Sequence, residues 1–567
     1  MTILRHLAIV AATMSQSVYS QYRLIKAHSI IEDRLISSNL EEFNSMRFHR
    51  QTPELMSKLS GKIPYDTLIN STSFSNKEYN FVEWNNPEYF GNTRQGFGNW
   101  KLTQKLGEHF FASPNRAYSW ESTDKQDYVV INPILDLLSS PNMGRIFDTA
   151  LVNGRGVEIQ AQFSDKLTLH SQVFDYQHNY TKNLDDFYTQ NKVYQGITYY
   201  QRTENGLVSN FYATGYIQAK IVEKKNSYQI STTFGHDQQF VGSGYRSLIL
   251  SNFAPPSLFL QVNYSLGPFK YQNLFKELVR DMTEDTFGVL NKKFLAMHRG
   301  SLEFKKLNFE VGFSEMIIHS RTNNQFDANY FNPIILYRSV ERDLGSPDNA
   351  MLAFDFKWTP KKQWLVYGQL LLDEFTMGKV INQKNYYGNK FGQQLGIYYS
   401  TNSRKTQIKD QAYVQLEYNR VRPHTYSHFS SSYYSHFSHA LAHPLESNFR
   451  EFALRAFWVP AKVQKLELKC VGIFAQKGQD TAGLNFGGSL FKSYRTAYDR
   501  QNAMMLQGAK QSIIQAQITA RYYLFPGGSI ELNYQLMKNV GFNAYTRNYL
   551  GFGIRWNFYD QRDNTLR

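Results

Sequence analysis

The sequence predicts an all-β protein: a transmembrane antiparallel β-barrel of roughly 16 to 18 strands with a short N-terminal helical periplasmic part. Three observations carry this. Apolar and polar residues alternate through most of the 567 residues. Short turns rich in Pro, Gly and Lys alternate with long polar, aromatic connections. The first twenty residues have the pattern of an export signal.

Composition agrees. Aromatic residues make up 16%, with 42 Phe and 39 Tyr, charged residues only 19%, and mean hydropathy is −0.48. No run of 18 apolar residues occurs, which excludes a helical membrane protein. A barrel tolerates this composition because polar lumen residues dilute the lipid-facing ones. One cysteine, Cys470, rules out an intramolecular disulfide and a cysteine-based metal site. The net charge of +15 suits nucleic acid, an anionic membrane surface or an acidic polymer. The charge is scattered over turns and loops, as in the Lys-Lys pairs at 292, 305 and 361, so nucleic acid is disfavoured.

In chain order, Arg5 and His6 precede an apolar run, Leu7 to Met14, and Val18-Tyr19-Ser20 fits a cleavage rule. Residues 1–20 are thus a signal peptide and the protein is exported, on this reading to the outer membrane of a Gram-negative bacterium. Residues 21 to about 60 carry Ile30, Ile31, Leu35 and Leu40 at helical spacing. The segment 21–150 reads as a helical and mixed periplasmic part plus the first strands, including Tyr128 to Ile131 before Pro133.

The barrel proper is predicted over 151–559. "GVEIQAQF" puts Val157, Ile159, Ala161 and Phe163 on one face, then turns at Ser164-Asp165-Lys166. Further turns fall at Gly267-Pro268, Lys305-Lys306, Pro360, Pro460 and Pro526-Gly527-Gly528. The opposite connections are long: 179–205, 376–390 and 424–448. At about 23 to 25 residues per strand and connection, this gives the 16 to 18 strands. The last strand, "NYLGFGIRWNFY", sends Leu550, Phe552, Ile554, Trp556 and Phe558 to one face and Arg555 to the other. The first face expects lipid and Arg555 a watery lumen, because Arg at mid-membrane on the lipid face costs about 2–4 kcal/mol. This strand is expected to close the barrel against the first, ahead of a polar tail, 560–567. A soluble β-sandwich or propeller is the bland alternative.

Three stretches attract chemistry. In "FNPIILYRSVERDLGSPDN", Asn332 suits a cap, Pro333 a first turn and Gly345 a stop, which predicts a helix over Ile334 to Leu344. A helix outside the wall at lipid depth is unexpected, so it should fold into the lumen or over the outer mouth. It is then either an ornamented loop or a constriction presenting Tyr337, Arg338, Glu341 and Arg342 to the pore. "RPHTYSHFSSSYYSHFSHALAHP" holds His424, His428, His436, His439 and His443. Two pairs are spaced by four, but Pro423, Pro444 and the lack of interleaved carboxylates argue for a loop over a metal face. Its tyrosines suit sugar rings, which makes Arg422, His424, Tyr426, His428, Tyr433 and Tyr434 ligand candidates. Gly242-Ser243-Gly244 lacks a following lysine and a hydrolase elbow spacing, so it is neither phosphate loop nor nucleophile elbow. His236, Asp237 and Ser243 leave a hydrolase as a remote option. Glu303, Glu315, Asp373 and Glu417, if lumen-facing, are expected to brace the wall.

Several stretches, among them "GHDQQFVGSGYRSLILSNFAPPSLFLQVN", "YFNPIILYRSVERDLGSPDNAMLAFDFKW", "EYNRVRPHTYSHF" and "LAHPLESNFRE", carry a resemblance. They resemble the RemB-type gliding-motility outer-membrane barrels of Bacteroidetes, within the broader Wzi-like capsule-assembly family. The resemblance implies an 18-stranded barrel, a periplasmic helical piece that helps close the lumen, and a role in holding or organising surface polysaccharide. It implies no catalytic residues and no cofactor. The expected function is a non-enzymatic barrel that binds or helps assemble capsular or exopolysaccharide in support of gliding motility. Its expected partners are outer-membrane lipid, surface polysaccharide, and motility or envelope proteins. A porin or substrate-specific channel is the alternative.

Overall fold

The computed structural model describes residues 118–556 except 123–126, 144, 165, 180–200, 203–206, 225–226, 285–289, 322–323, 335, 375–376, 402–409, 464–465, 482 and 526–527. The expected signal peptide, N-terminal helical part and polar tail lie outside the described residues, as do Phe558 and Tyr559. Eighteen antiparallel strands close into a barrel. Tyr128–Asn142 is the first and pairs with the last, Tyr545–Trp556. The strands run from 10 residues, as in Tyr228–Asp237, to 19 in Arg145–Phe163.

The wall is polar inside and apolar outside. On the last strand Leu550, Phe552 and Ile554 are exposed on the outside, while Arg555 is buried inside. A closed wall leaves no unpaired edge, and its alternation serves two solvents. Where the sheet closes, Arg555 stands opposite Asp136 of the first strand. Its guanidinium reaches Asp136 at 3.0 Å and Glu531 at 2.9 Å. Arg521 bonds the same Glu531 at 2.7 Å. The first and last strands of the wall are thus joined by backbone ladder and by a buried ionic cluster.

The first strand runs on through Pro133, past the stop the sequence suggested. A short flanking strand, Tyr118–Glu121, covers residues 128–131, and the closing strand covers 135–142 along the same edge. Pro133 falls in the interval between them, where a proline costs the ladder least. The turn expected at Pro360 comes at Lys362-Gln363, and Pro360 sits where the register slips between Trp358 and Lys361.

Turns at one end are short, as at Gly267-Pro268 and Lys305 to Asn308, where Gly267 and Asn308 take φ of 62° and 49°. The longest described connections, 238–256, 320–348 and 422–448, leave the other end, the outer mouth. Two of them, 238–256 and 422–448, fold back into the lumen and are buried almost throughout. A third, 320–348, goes elsewhere. Its helix, Tyr337–Leu344, and the 3-10 turn Ala328–Phe331 lie on the outer face of the wall. The register fixes this. Leu260, Phe275, Ala296, Ile317 and Ala350 form one cross-strand row. Two rows nearer the short turns on that face, Phe313 and Phe354 are exposed. Phe326, Tyr330, Tyr337 and Val340 pack on the upper row.

This corrects the expectation that the helix enters the lumen or covers the mouth. The reason is chemical. The outward face here carries His298, Glu315 and His319, which lipid would not tolerate bare. The flap covers them: the Tyr337 ring lies tilted against His298 at 3.9 Å, and Tyr330 against His319 at 4.8 Å. Glu315 accepts from Tyr337 N at 2.7 Å and Arg338 N at 2.9 Å. It thereby caps a helix whose own capping position, Leu336, has no side-chain acceptor. The helix starts after the Asn332-Pro333 signal for that reason, and it ends at Gly345, φ 58°, as the sequence suggests.

Candidate functional site at the outer mouth

The two inward loops form the floor of the site. Loop 238–256 crosses the lumen to the Gln411–Val421 strand, where Glu417 accepts from Tyr245 N at 2.6 Å and Arg246 N at 3.0 Å. The Tyr367 hydroxyl at 2.7 Å and Asn419 Nδ2 at 2.8 Å complete its shell. Gly242-Ser243-Gly244 thus shapes an anion nest that the wall's own carboxylate fills. A Cβ on Gly242, φ 121°, would stand 2.1 Å from Gln369 Nε2, and one on Gly244 2.5 Å from Glu417 Oε2. Gln369 accepts from Leu248 N at 2.8 Å and Gln394 donates to Arg246 O at 2.9 Å.

Loop 422–448 comes from the opposite side and locks onto the first. Tyr426 and Tyr434 donate to Leu248 O and Ile249 O, each at 2.8 Å. Asp373 accepts from Tyr426 N at 2.7 Å. Further along, Lys293 donates to Tyr433 O at 2.7 Å and lies over its ring at 4.1 Å. His436 Nδ1 accepts from Val279 N at 2.9 Å, and His443 meets Glu451 at 2.9 Å. The five histidines serve this packing separately. Among the described residues no group of three or more His, Cys, Asp or Glu could hold a metal.

Above the floor, the loops that hold residues 377–389, 422–448 and 483–508 meet. Tyr387 N donates to Arg500 O at 3.1 Å and Ala503 N to Asn385 O at 2.7 Å. Asn448 Nδ2 donates to Gly478 O and Gln507 O, both at 3.0 Å. The junction gathers partly exposed rings. Tyr387 lies 5.0 Å from Tyr386 and 6.0 Å from Tyr494, and Phe429 lies 6.1 Å from Tyr494. Each ring carries a cation: Arg495 over Phe429 at 3.8 Å, Arg500 over Tyr387 at 5.7 Å, Lys379 over Tyr386 at 5.2 Å and Lys390 over Tyr494 at 4.3 Å. Arg495, Arg500 and Lys379 are exposed. Asp480 is occupied by Phe486 N, Gly488 N and Ser489 N, and Asp499 by Gln501 N and Asn502 N. The mouth therefore presents aromatic faces beside positive charge.

Burial, with nearby Lys390, lowers the pKa of His428 to about 3 and that of His424 to about 4. Both imidazoles are neutral at pH 7. Burial raises the Tyr494 hydroxyl to about 12 and lowers Arg422 to about 10, the latter helped by Arg420.

The sequence candidates part ways here. His428 borders the aromatic junction, against Phe429 and Tyr494. Arg422 and His424 lie beneath it, Arg422 donating to Asn389 O at 2.8 Å. Tyr426 and Tyr434 are fully buried in the floor, with Tyr433 partly so. Tyr337, Arg338, Glu341 and Arg342 are on the outer flap, away from the lumen. Sequence reasoning passed over Tyr386, Tyr387, Phe429, Tyr494, Arg495 and Arg500. For all but Phe429 the signal was the pairing of ring and cation in "KNYYGNK" and "SYRTAYDR". The imagined hydrolase set is not assembled: His236 faces outward on its strand, and Ser243 is buried in the floor.

No family model matches the chain, and no curated protein matches it. Solved structures do. The chain is similar in fold to outer-membrane barrels. Wzi of Escherichia coli, an outer membrane protein involved in group 1 capsule assembly and a carbohydrate-binding β-barrel, is 12% identical, with a TM-score of 0.48 over 96% of this chain and 98% of its own. OpdK of Pseudomonas aeruginosa, solved with vanillate, is 8% identical, with a TM-score of 0.40 over 76% of this chain and 98% of its own. OprD of the same organism is 10% identical, with a TM-score of 0.37 over 75% and 92%.

Proposed function

We propose that this barrel is a non-enzymatic holder of an acidic surface polysaccharide, bound at the outer mouth. The observation that carries the reading is the ring-and-cation junction of Tyr386, Tyr387, Phe429 and Tyr494 with Arg495, Arg500 and Lys379 above the two inward loops. Aromatic faces suit the apolar faces of sugar rings, and guanidinium forks suit uronate carboxylates or sulfate. The +15 net charge favours the same partner. The two inward loops, locked to each other across the lumen, argue for holding a chain at the surface over passing it through. The sequence resemblance to RemB-type barrels supports placing that task in capsule assembly or gliding motility, with envelope proteins as partners, in the outer membrane of an exporting Gram-negative cell.

The test is calorimetry of the detergent-folded protein against surface polysaccharide from its own host, at moderate and at high salt. Saturable binding that weakens with salt is expected. Tyr387→Ala with Tyr494→Ala should cost at least about tenfold in affinity, and Arg495→Gln with Arg500→Gln should remove most of the salt dependence. Wild-type affinity in both double variants would move the site away from the mouth.

A further inference from the structure

The 320–348 flap covers the wall, but its own outer side is not covered. Ile334 is 84% exposed, Leu336 53%, Phe331 49% and Leu344 43%. Beside these apolar residues the helix carries Arg338 and Arg342, four apart and therefore on one stripe, both exposed. Arg338 is steered by Glu341 at 2.9 Å. Asp343 is exposed one residue along, off that stripe. Tyr337 and Val340, on the opposite side, face the wall.

Position decides what this surface meets. The flap begins to cover the outward face at Glu315, two residues along the strand from exposed Phe313, or about 7 Å. The apolar wall surface is therefore continuous with the apolar surface of the flap. The helix ends five residues before Asn349, the mouth-end residue of the next strand, and Arg338 lies within electrostatic reach of His428, which sets this surface toward the outer mouth, where a leaflet's acyl chains give way to headgroups. A basic stripe next to greasy side chains at that height matches a phosphorylated amphiphile.

We propose that the flap is a docking site for a phosphorylated lipid of the outer leaflet, with Phe331, Ile334 and Leu336 against the acyl chains and Arg338 and Arg342 against the phosphates. The flap would then hold the barrel's lipid shell at one point on its circumference, separately from any polysaccharide at the mouth.

The experiment uses the full chain, folded in detergent, with diphosphoryl lipid A and its dephosphorylated form as probes. Retained lipid is counted by native mass spectrometry. The wild type should retain the diphosphoryl form. R338Q with R342Q should lower its retention roughly tenfold, with an unchanged melting temperature because both side chains are exposed. I334S with L336S should weaken both probes. Equal retention of the two probes by the wild type, or undiminished retention in the arginine variant, overturns the proposal. So does a wild-type dimer, seen by light scattering, that I334S with L336S dissociates, since that assigns the surface to a second copy of the chain.

Discussion

At the scale of single residues, carboxylates on the strands organise the molecule. Four that the sequence singled out meet four fates. Glu417 and Asp373 face the lumen and hold the two inward loops by their backbone amides. Glu315 faces outward and holds the flap. Glu303, near a short turn, meets Lys270 at 3.4 Å. The face each takes follows from period two, but which loop Glu417, Asp373 and Glu315 would hold did not, because loop paths are set by partners far away in sequence. Two loop histidines contribute a pH dependence. His424 and His428 are neutral in the folded floor, with pKa values near 4 and 3, against 6.5 when exposed. The unfolded loop binds protons first, so stability is full above pH 6.5, falls as pH drops below it, and levels off beneath the folded values. Each contributes a loss of order 3 kcal/mol. Melting followed in detergent from pH 7.5 to 3.5 should show this fall, and His424→Asn with His428→Asn should flatten it. An identical slope in the variant would assign the acid sensitivity to other groups.

At the scale of elements, the plug and the flap show how far patterning reaches. Strand existence, facing and most turns were legible, because a wall between lipid and water writes a period-two signal into every strand. The flap's helix was legible from Pro333 and Gly345, yet its location was not. Tyr337 and Val340 would look the same on a lumen plug as on an outer lid; only the row Leu260, Phe275, Ala296, Ile317 and Ala350 distinguishes them. Likewise the tyrosines of 422–448 pointed to a ligand, whereas Tyr426 and Tyr434 spend their hydroxyls on Leu248 O and Ile249 O. The plug has a direct test. Glu417→Ala removes the acceptor shared by Tyr245 N, Arg246 N and Tyr367, and each buried donor left unpaired costs about 1–3 kcal/mol. In planar bilayers the wild type should stay closed and Glu417→Ala should flicker open. Steady conductance by the wild type would favour the porin reading.

At the scale of the whole molecule, the closing seam sets integrity. Arg555 is buried between Asp136 and Glu531, and Glu531 also serves Arg521. Removing one partner of a buried ion cluster leaves uncompensated charge and costs about 3–5 kcal/mol. Arg555→Ala should therefore lower the temperature at which the folded, fast-migrating band is lost on gels. Asp136→Asn with Arg555→Met, which removes charge from both sides, should restore part of it. An unchanged transition in Arg555→Ala would place the stability of the seam in its backbone ladder alone.

The plug also orders events in time. Tyr245 N meets Glu417 across 172 positions of sequence, and Tyr434 meets Ile249 across 185. Contacts this remote come late, after loop closure has already been achieved by something else. Here that something is the wall, since both loops anchor on strands nearly opposite one another. Docked inward loops are thus a record that both halves of the wall have already met, and a half-built barrel would carry its loops undocked, open to proteases that a finished one resists.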